Sequence, residues 1–138
     1  MPAKDIFHDV VKNALIEEGW TITDDPLYLS FGGVDLYVDL GAEKVIAAQK
    51  DHQKIAVEVK SFMQASLTSE FHTALGQYLN YRLIIENKEP DRILYLAISQ
   101  DAYTTFFSLL FAQEAVKKYG VKLIVYDGDK ERILEWKK

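Results

Sequence analysis

Cysteine is absent from this 138-residue chain, which excludes disulfides and thiolate metal sites and leaves oxygen or imidazole as metal donors. Proline is scarce, and no Pro/Gly/Ser-rich stretch or low-complexity tract divides the sequence, so residues 1–138 read as a single domain. No apolar run approaches the roughly 20 residues that a membrane-spanning helix needs. The opening Met1-Pro2-Ala3-Lys4-Asp5-Ile6 lacks the apolar region of a secretory signal. A cytoplasmic location without a membrane partner is the expectation. Basic residues are outnumbered, 16 against 21, for a formal charge of −5. That deficit argues against a protein that coats nucleic acid non-specifically, because such binding is driven by phosphate neutralisation. It leaves room for a nucleic-acid enzyme, since metal-binding acids add to the negative count and a local basic strip can still meet the backbone.

What is present is a change of hydrophobic period along the chain. From Asp5 to Glu18, Ile6, Val10, Ala14 and Leu15 recur at helical spacing and Gly19 terminates the run. Leu27 to Phe31 and Val34 to Leu40 read as strands around Gly32-Gly33. A second hairpin pairs Val45 to Gln49 with Ile55 to Lys60 around a polar Lys50–Gln53 tip. A long helix follows Ser66, with Phe71, Leu75, Tyr78, Leu79, Arg82 and Ile85 on one face, and stops before Pro90. Ile93 to Ser99 is an apolar strand, and Asp101 is a candidate cap for a helix running to Tyr119-Gly120. Val121 to Tyr126 is a further strand, and Ile133 to Trp136 reads as its edge partner. This order predicts an α/β fold, a mixed sheet flanked by helices on both sides.

The chemically suggestive stretch is Ile55-Ala56-Val57-Glu58-Val59-Lys60. Strand side chains alternate between faces, so Ile55, Val57 and Val59 share one face and Glu58 and Lys60 the other. A carboxylate holds a divalent cation; an ammonium beside it orients a water or offsets phosphoryl charge. An E-x-K at a strand end, taken alone, is more often a solvated face.

A metal site needs a further acid, and Glu43 and Asp39 stand upstream. With the hairpin tip at Lys50–Gln53, Val45 faces Glu58, and both acids share the parity of Glu58 and Lys60. Glu43 lies about 7 Å along the strand from the position opposite Glu58, and Asp39 roughly 20 Å, at a rise of 3.3 Å per residue. The simple register favours Glu43, while a bulge at Gly41 would bring Asp39 closer; both remain candidates. On the long helix, Gln77 and Tyr81 are one turn apart, the amide suited to positioning a water or ligand and the phenol to contacting nucleic acid. His8 and Lys12 are one turn apart on the first helix, where a lone histidine is expected at the surface or as a cap. Phe106, Phe107, Leu109, Leu110 and Phe111 read first as core packing, but so many apolar residues exceed one helix face, which raises contact with a partner or a homodimer.

Glu58-Val59-Lys60, the upstream acids and Gln77-Tyr78-Leu79-Asn80-Tyr81 resemble the PD-(D/E)XK nuclease superfamily, whose restriction-endonuclease-like core has the order αβββαβ. More narrowly, Asp5-Ile6-Phe7-His8, Gly19-Trp20-Thr21-Ile22-Thr23, Asp25-Pro26-Leu27, Asp39-Leu40-Gly41-Ala42-Glu43, Ile55 to Phe62, Ala74-Leu75-Gly76-Gln77-Tyr78 and Leu94-Tyr95-Leu96-Ala97 resemble the XisH family. Its members are cyanobacterial fdxN element excision controlling factors, linked to programmed DNA excision in heterocysts. The upstream acid follows Val38 or Ala42 here rather than a proline.

The resemblance implies a Mg²⁺- or Mn²⁺-dependent deoxyribonuclease acting on DNA in excision. Glu58 with Glu43 or Asp39 would hold the metal, Lys60 and Gln77 would serve the chemistry, and Tyr81 would touch the nucleic acid. The alternative is a catalytically inactive nuclease-fold accessory factor that binds DNA or other excision proteins.

Overall fold

The computed structural model describes residues 7–28, 30–35, 45–63 and 65–138. Its elements are α1 (His8–Glu17), β1 (Thr21–Asp24), β2 (Ser30–Phe31), β3 (Val34–Asp35), β4 (Val45–Lys50), β5 (Gln53–Val59) and α2 (Leu67–Lys88), then β6 (Arg92–Ser99), α3 (Gln100–Ala102), α4 (Leu110–Tyr119), β7 (Leu123–Asp127) and β8 (Arg132–Lys137). A π-helical turn, Tyr103–Phe107, follows α3.

The main sheet runs in the order β1-β4-β5-β6-β7-β8. Its centre, β5-β6-β7, is parallel, and antiparallel pairs close both sides. Parallel neighbours need crossover connections that are right-handed, so α2 and the α3–α4 segment cross on the same face of the sheet. Phe71, Tyr78, Tyr81, Ile85, Phe107 and Ala112 pack there against Ala47, Ala56, Leu94, Leu96 and Leu123. On the other face, Val11 and Leu15 of α1 pack with Ile46, Val57, Tyr95, Ile124 and Tyr126. The fold is therefore a mixed sheet between helical layers, as the periodicity predicts. Among the described residues no helix is long and apolar enough to cross a membrane.

The β4–β5 hairpin has the predicted register, with Val45 opposite Glu58 and Gln49 opposite Lys54. Ser30–Phe31 pairs with Val34–Asp35 across Gly32 and Gly33, whose φ of 60° and 88° fit a two-residue turn that side-chained residues resist. Four details depart from the sequence reading. Thr21–Asp24 forms an edge strand on β4 where none was expected; it is short and mostly exposed, so it carries no alternating apolar signal. The buried stripe of α1 is His8, Val11, Ala14 and Leu15, with Val10 only partly covered. Ser99, not Asp101, caps the helix after β6, its hydroxyl accepting from the Ala102 N–H at 3.1 Å. That helix is also not continuous to Tyr119. After the π turn Leu109 is extended at ψ 146°, and α4 starts afresh before ending on left-handed Gly120.

Candidate functional site

Glu58 is the second-to-last residue of β5, and its parity with Ala56 points it toward α2 rather than toward solvent. It is fully buried, unlike the solvated strand end that an E-x-K taken alone more often marks. Both carboxylate oxygens lack a hydrogen-bond partner among the described residues, and so does the buried Oε1 of Gln77. Burial pushes the Glu58 carboxyl well above the ordinary carboxylate range. An isolated buried carboxylate costs several kcal/mol when ionised, and no hydrogen bond from the described residues offsets that cost.

Helix α2 supplies the roof over this carboxyl. Ser66 caps it, accepting from the Ser69 N–H at 3.2 Å. Tyr78 anchors it to the sheet, donating to the Leu94 carbonyl at 2.9 Å and accepting from the Lys122 N–H at 3.0 Å. Tyr81 is 3% exposed and lies within the core cluster, so the helix buries the face carrying Tyr78, Tyr81 and Ile85, with Leu75 and Leu79 at its margin. Burial, and then the charge of Glu58, push the Tyr81 phenol up; the same charge acts on Tyr78. Glu58 thus lies on the sheet face that Tyr78 and Tyr81 cover. Gln77 is half-buried one turn before Tyr81.

Lys60 extends β5 by one step, its N–H donating to the Ala97 carbonyl at 3.1 Å, which keeps it on the Glu58 side of the sheet. The lysine is 8% exposed. Two residues on, Phe62 takes a left-handed φ of 53° that a bulky residue rarely adopts. Its ring is held edge-on to Phe107, with centroids 5.1 Å apart, which fixes where the chain leaves the site. The structure therefore gathers Glu58, Tyr81 and Tyr78, with Lys60 on the same sheet face and Gln77 beside them on α2. Asp39, Glu43 and the Gly41 bulge lie outside the described residues. Among the described residues no group of three or more His, Asp or Glu side chains is arranged to hold a metal.

A second polar cluster escaped the sequence reading. His8, expected at the surface, is buried, and its Nε2 lies 2.8 Å from Asp25 Oδ1, while Lys12 Nζ donates to Asp25 Oδ2 at 2.8 Å. The i, i+4 spacing of His8 and Lys12 was a visible signal; Asp25 as their shared partner was not.

A six-stranded mixed sheet under two crossover helices, with a partnerless acid between sheet and helix, defines an α/β protein with a buried polar centre. The XisH protein family model matches residues 1–134. An XisH family protein from Nostoc punctiforme PCC 73102 is 49% identical, with TM-score 0.90, over 97% of this chain and 100% of that one. An fdxN element excision controlling factor protein from Anabaena variabilis is 53% identical, with TM-score 0.89, over 96% of this chain and 98% of the other. No curated protein matches. The chain belongs to the XisH family.

Proposed function

We propose that this protein acts in DNA excision as a Mg²⁺-dependent, nuclease-like phosphodiesterase of restriction-endonuclease-like architecture, with its reactive centre at Glu58. The observation that carries the reading is a buried carboxylate with no hydrogen-bond partner among the described residues, together with a Gln77 amide oxygen, on the helix over that face of the sheet, that is buried and lacks one as well. Hard divalent cations take such oxygen donors, so the residues fit Mg²⁺ or Mn²⁺, with Glu43 or Asp39 as the further acid. When bound, the cation supplies Lewis-acid polarisation of a phosphoryl oxygen and a more acidic water. Lys60 offsets negative charge developing on the phosphoryl oxygens. Gln77 orients a water or a phosphate through its amide. Tyr81, roofed over Glu58, excludes bulk water and gives the acid a low-dielectric setting; contact with nucleic acid falls to its exposed neighbours.

The test is incubation of the protein with linear, nicked and branched DNA across a Mg²⁺ titration, together with Lys60→Ala and Glu58→Gln. Cleavage that requires metal and is lost in both variants, with melting temperatures preserved, is the expected result. Metal-dependent cleavage that survives in Lys60→Ala would overturn the assignment.

A second reading is a non-catalytic accessory factor. Leu109, Leu110 and Phe111 are 50%, 76% and 55% exposed, an apolar surface suited to a protein partner in excision. Absence of cleavage, combined with partner capture that Leu110→Asp abolishes, would favour it.

A further inference from the structure

We propose that Lys117, Lys122 and Lys138 form a docking site for the phosphodiester backbone of a nucleic acid. A cavity of about 450 Å³ opens between the π turn, α4 and the start of β7, and these lysines line it with Lys137, Tyr103 and Phe107. No aspartate or glutamate lines it. Lys137 is committed elsewhere, donating to Glu135 at 3.0 Å with its ammonium 4.8 Å from the Tyr103 ring centre. Lys117, Lys122 and Lys138 make no ion pair among the described residues. In a chain with 21 acids and 16 bases, a cavity with no aspartate or glutamate side chain in its described lining, and with three ammonium groups that make no ion pair among the described residues, is an unusual concentration of positive side-chain charge.

The ordinary structural explanation covers only part of this. A lysine near a helix C-terminus complements the dipole, which accounts for Lys117 on the last turn of α4. Lys122 and Lys138 flank strands, where no such dipole acts.

Placement connects the cavity to the candidate site, and the inference rests on the DNA reading given above. Glu58 pairs with Leu96 and Leu96 with Leu123, so the residue after Lys122 is level with Glu58, two strands away. Two strand spacings amount to roughly 10 Å. Phe107, Val121 and Leu123 of the cavity wall belong to the same core layer as Tyr81, so the cavity lies on the Glu58 side of the sheet. Lys122 and Lys138 also line an adjoining cavity, whose other lysines are already engaged, Lys50 by the Glu18 carbonyl and Lys54 by Asp91, so the free ammonium groups stay with the first cavity. Three ammonium groups along one rim suit a polymer bearing a charge every few ångströms.

The test is fluorescence anisotropy of a labelled 20-base-pair DNA with the full chain over a salt series. It compares the wild type with the triple variant Lys117→Gln, Lys122→Gln, Lys138→Gln and with Lys88→Gln, an exposed lysine outside the cavity. The triple variant should bind at least about ten-fold more weakly at low salt, and its slope of log affinity against log salt should fall by about 2 to 3, near 0.9 per lost phosphate contact. Lys88→Gln should bind DNA as the wild type does. No DNA binding by the wild type, or an unchanged slope in a folded triple variant, overturns the proposal. So does tripolyphosphate binding at the lysines without displacing DNA, which would mark a small-anion site. Mn²⁺ titration of the same proteins by calorimetry reports the Glu58 site separately, so loss of either reading is distinguishable from loss of the other.

Discussion

Two acids sit on opposite faces of the sheet, one half-buried and one fully buried, and are held on different terms. Asp25, beside α1, has both oxygens engaged at 2.8 Å, by His8 and by Lys12. Burial acts on it most strongly and upward, but the Lys12 bond and then His8 outweigh that and hold its carboxyl below the usual range. Glu58, under α2, meets burial with no hydrogen-bond partner among the described residues, and its carboxyl is pushed the other way. A carboxylate satisfied by its own chain is explained by the fold. One buried without satisfaction lowers the stability of its ionised form, and the fold gives no return for it. The comparison thus separates an acid that serves structure from one that points to a ligand.

The comparison breaks if the two acids respond alike to removal. Asp25→Ala should lower unfolding free energy by about 2–3 kcal/mol, because it strips a buried imidazole and an ammonium of their shared acceptor. Urea unfolding at neutral pH reads this; a loss below about 0.5 kcal/mol would make the cluster incidental. Glu58→Met should be neutral or stabilising, by up to about 1 kcal/mol, since an apolar side chain of similar size removes an unsatisfied group. The same variant should lose Mn²⁺ binding. A marked destabilisation instead would make Glu58 a structural acid.

The two clusters also differ in how far the sequence reveals them. The placement of Glu58 follows from local rules: the polar tip Lys50–Gln53 sets the hairpin register, and alternation puts Glu58 and Lys60 on one face. Burial of that face does not follow locally, because Ala56 is the only apolar residue of its parity in β5 and the cover comes from α2 and β6. The Asp25 cluster depends on a contact 17 residues apart, between α1 and the segment after β1, which no periodicity encodes. The burial of Tyr81 is hidden for a related reason. The stripe read from the sequence includes Leu75, Leu79 and Arg82, and only the sheet selects the Tyr78–Tyr81–Ile85 face. The α3–α4 break is hidden because Phe106 to Phe111 is apolar at every position but Ser108, and only tertiary packing decides that Phe106 and Phe107 are buried while Leu110 is not.

Acid and base should pull the two sites in opposite directions. The folded pKa of Asp25 lies below its ordinary 3.8, so its stabilisation is present above that value and lost as pH falls through the folded one. The stability gap between wild type and Asp25→Asn should therefore close in acid. The folded pKa of Glu58 in metal-free protein lies above 4.5, so its neutral form contributes fully below that value and the contribution is lost as pH rises through the folded one. Glu58→Gln should flatten that alkaline decline. Denaturant midpoints measured in chelator from pH 3 to 9 would show parallel curves if the comparison were mistaken.

The smallest effect sharpens the account of Asp25 itself, by dividing its partners. Lys12 is 34% exposed at its side chain, whereas the His8 side chain is 3% exposed. Water and salt screen the lysine, and a partly exposed ion pair contributes about 0.5–1 kcal/mol at most. Lys12→Ala should therefore cost less than Asp25→Ala, and its cost should shrink further in 1 M salt, where the screening length falls to about 3 Å. The penalty of Asp25→Ala should persist at that salt, because the buried imidazole still lacks its acceptor. Equal and equally salt-sensitive losses in the two variants would place the stabilisation in the Lys12 pair and leave His8 without a part in it.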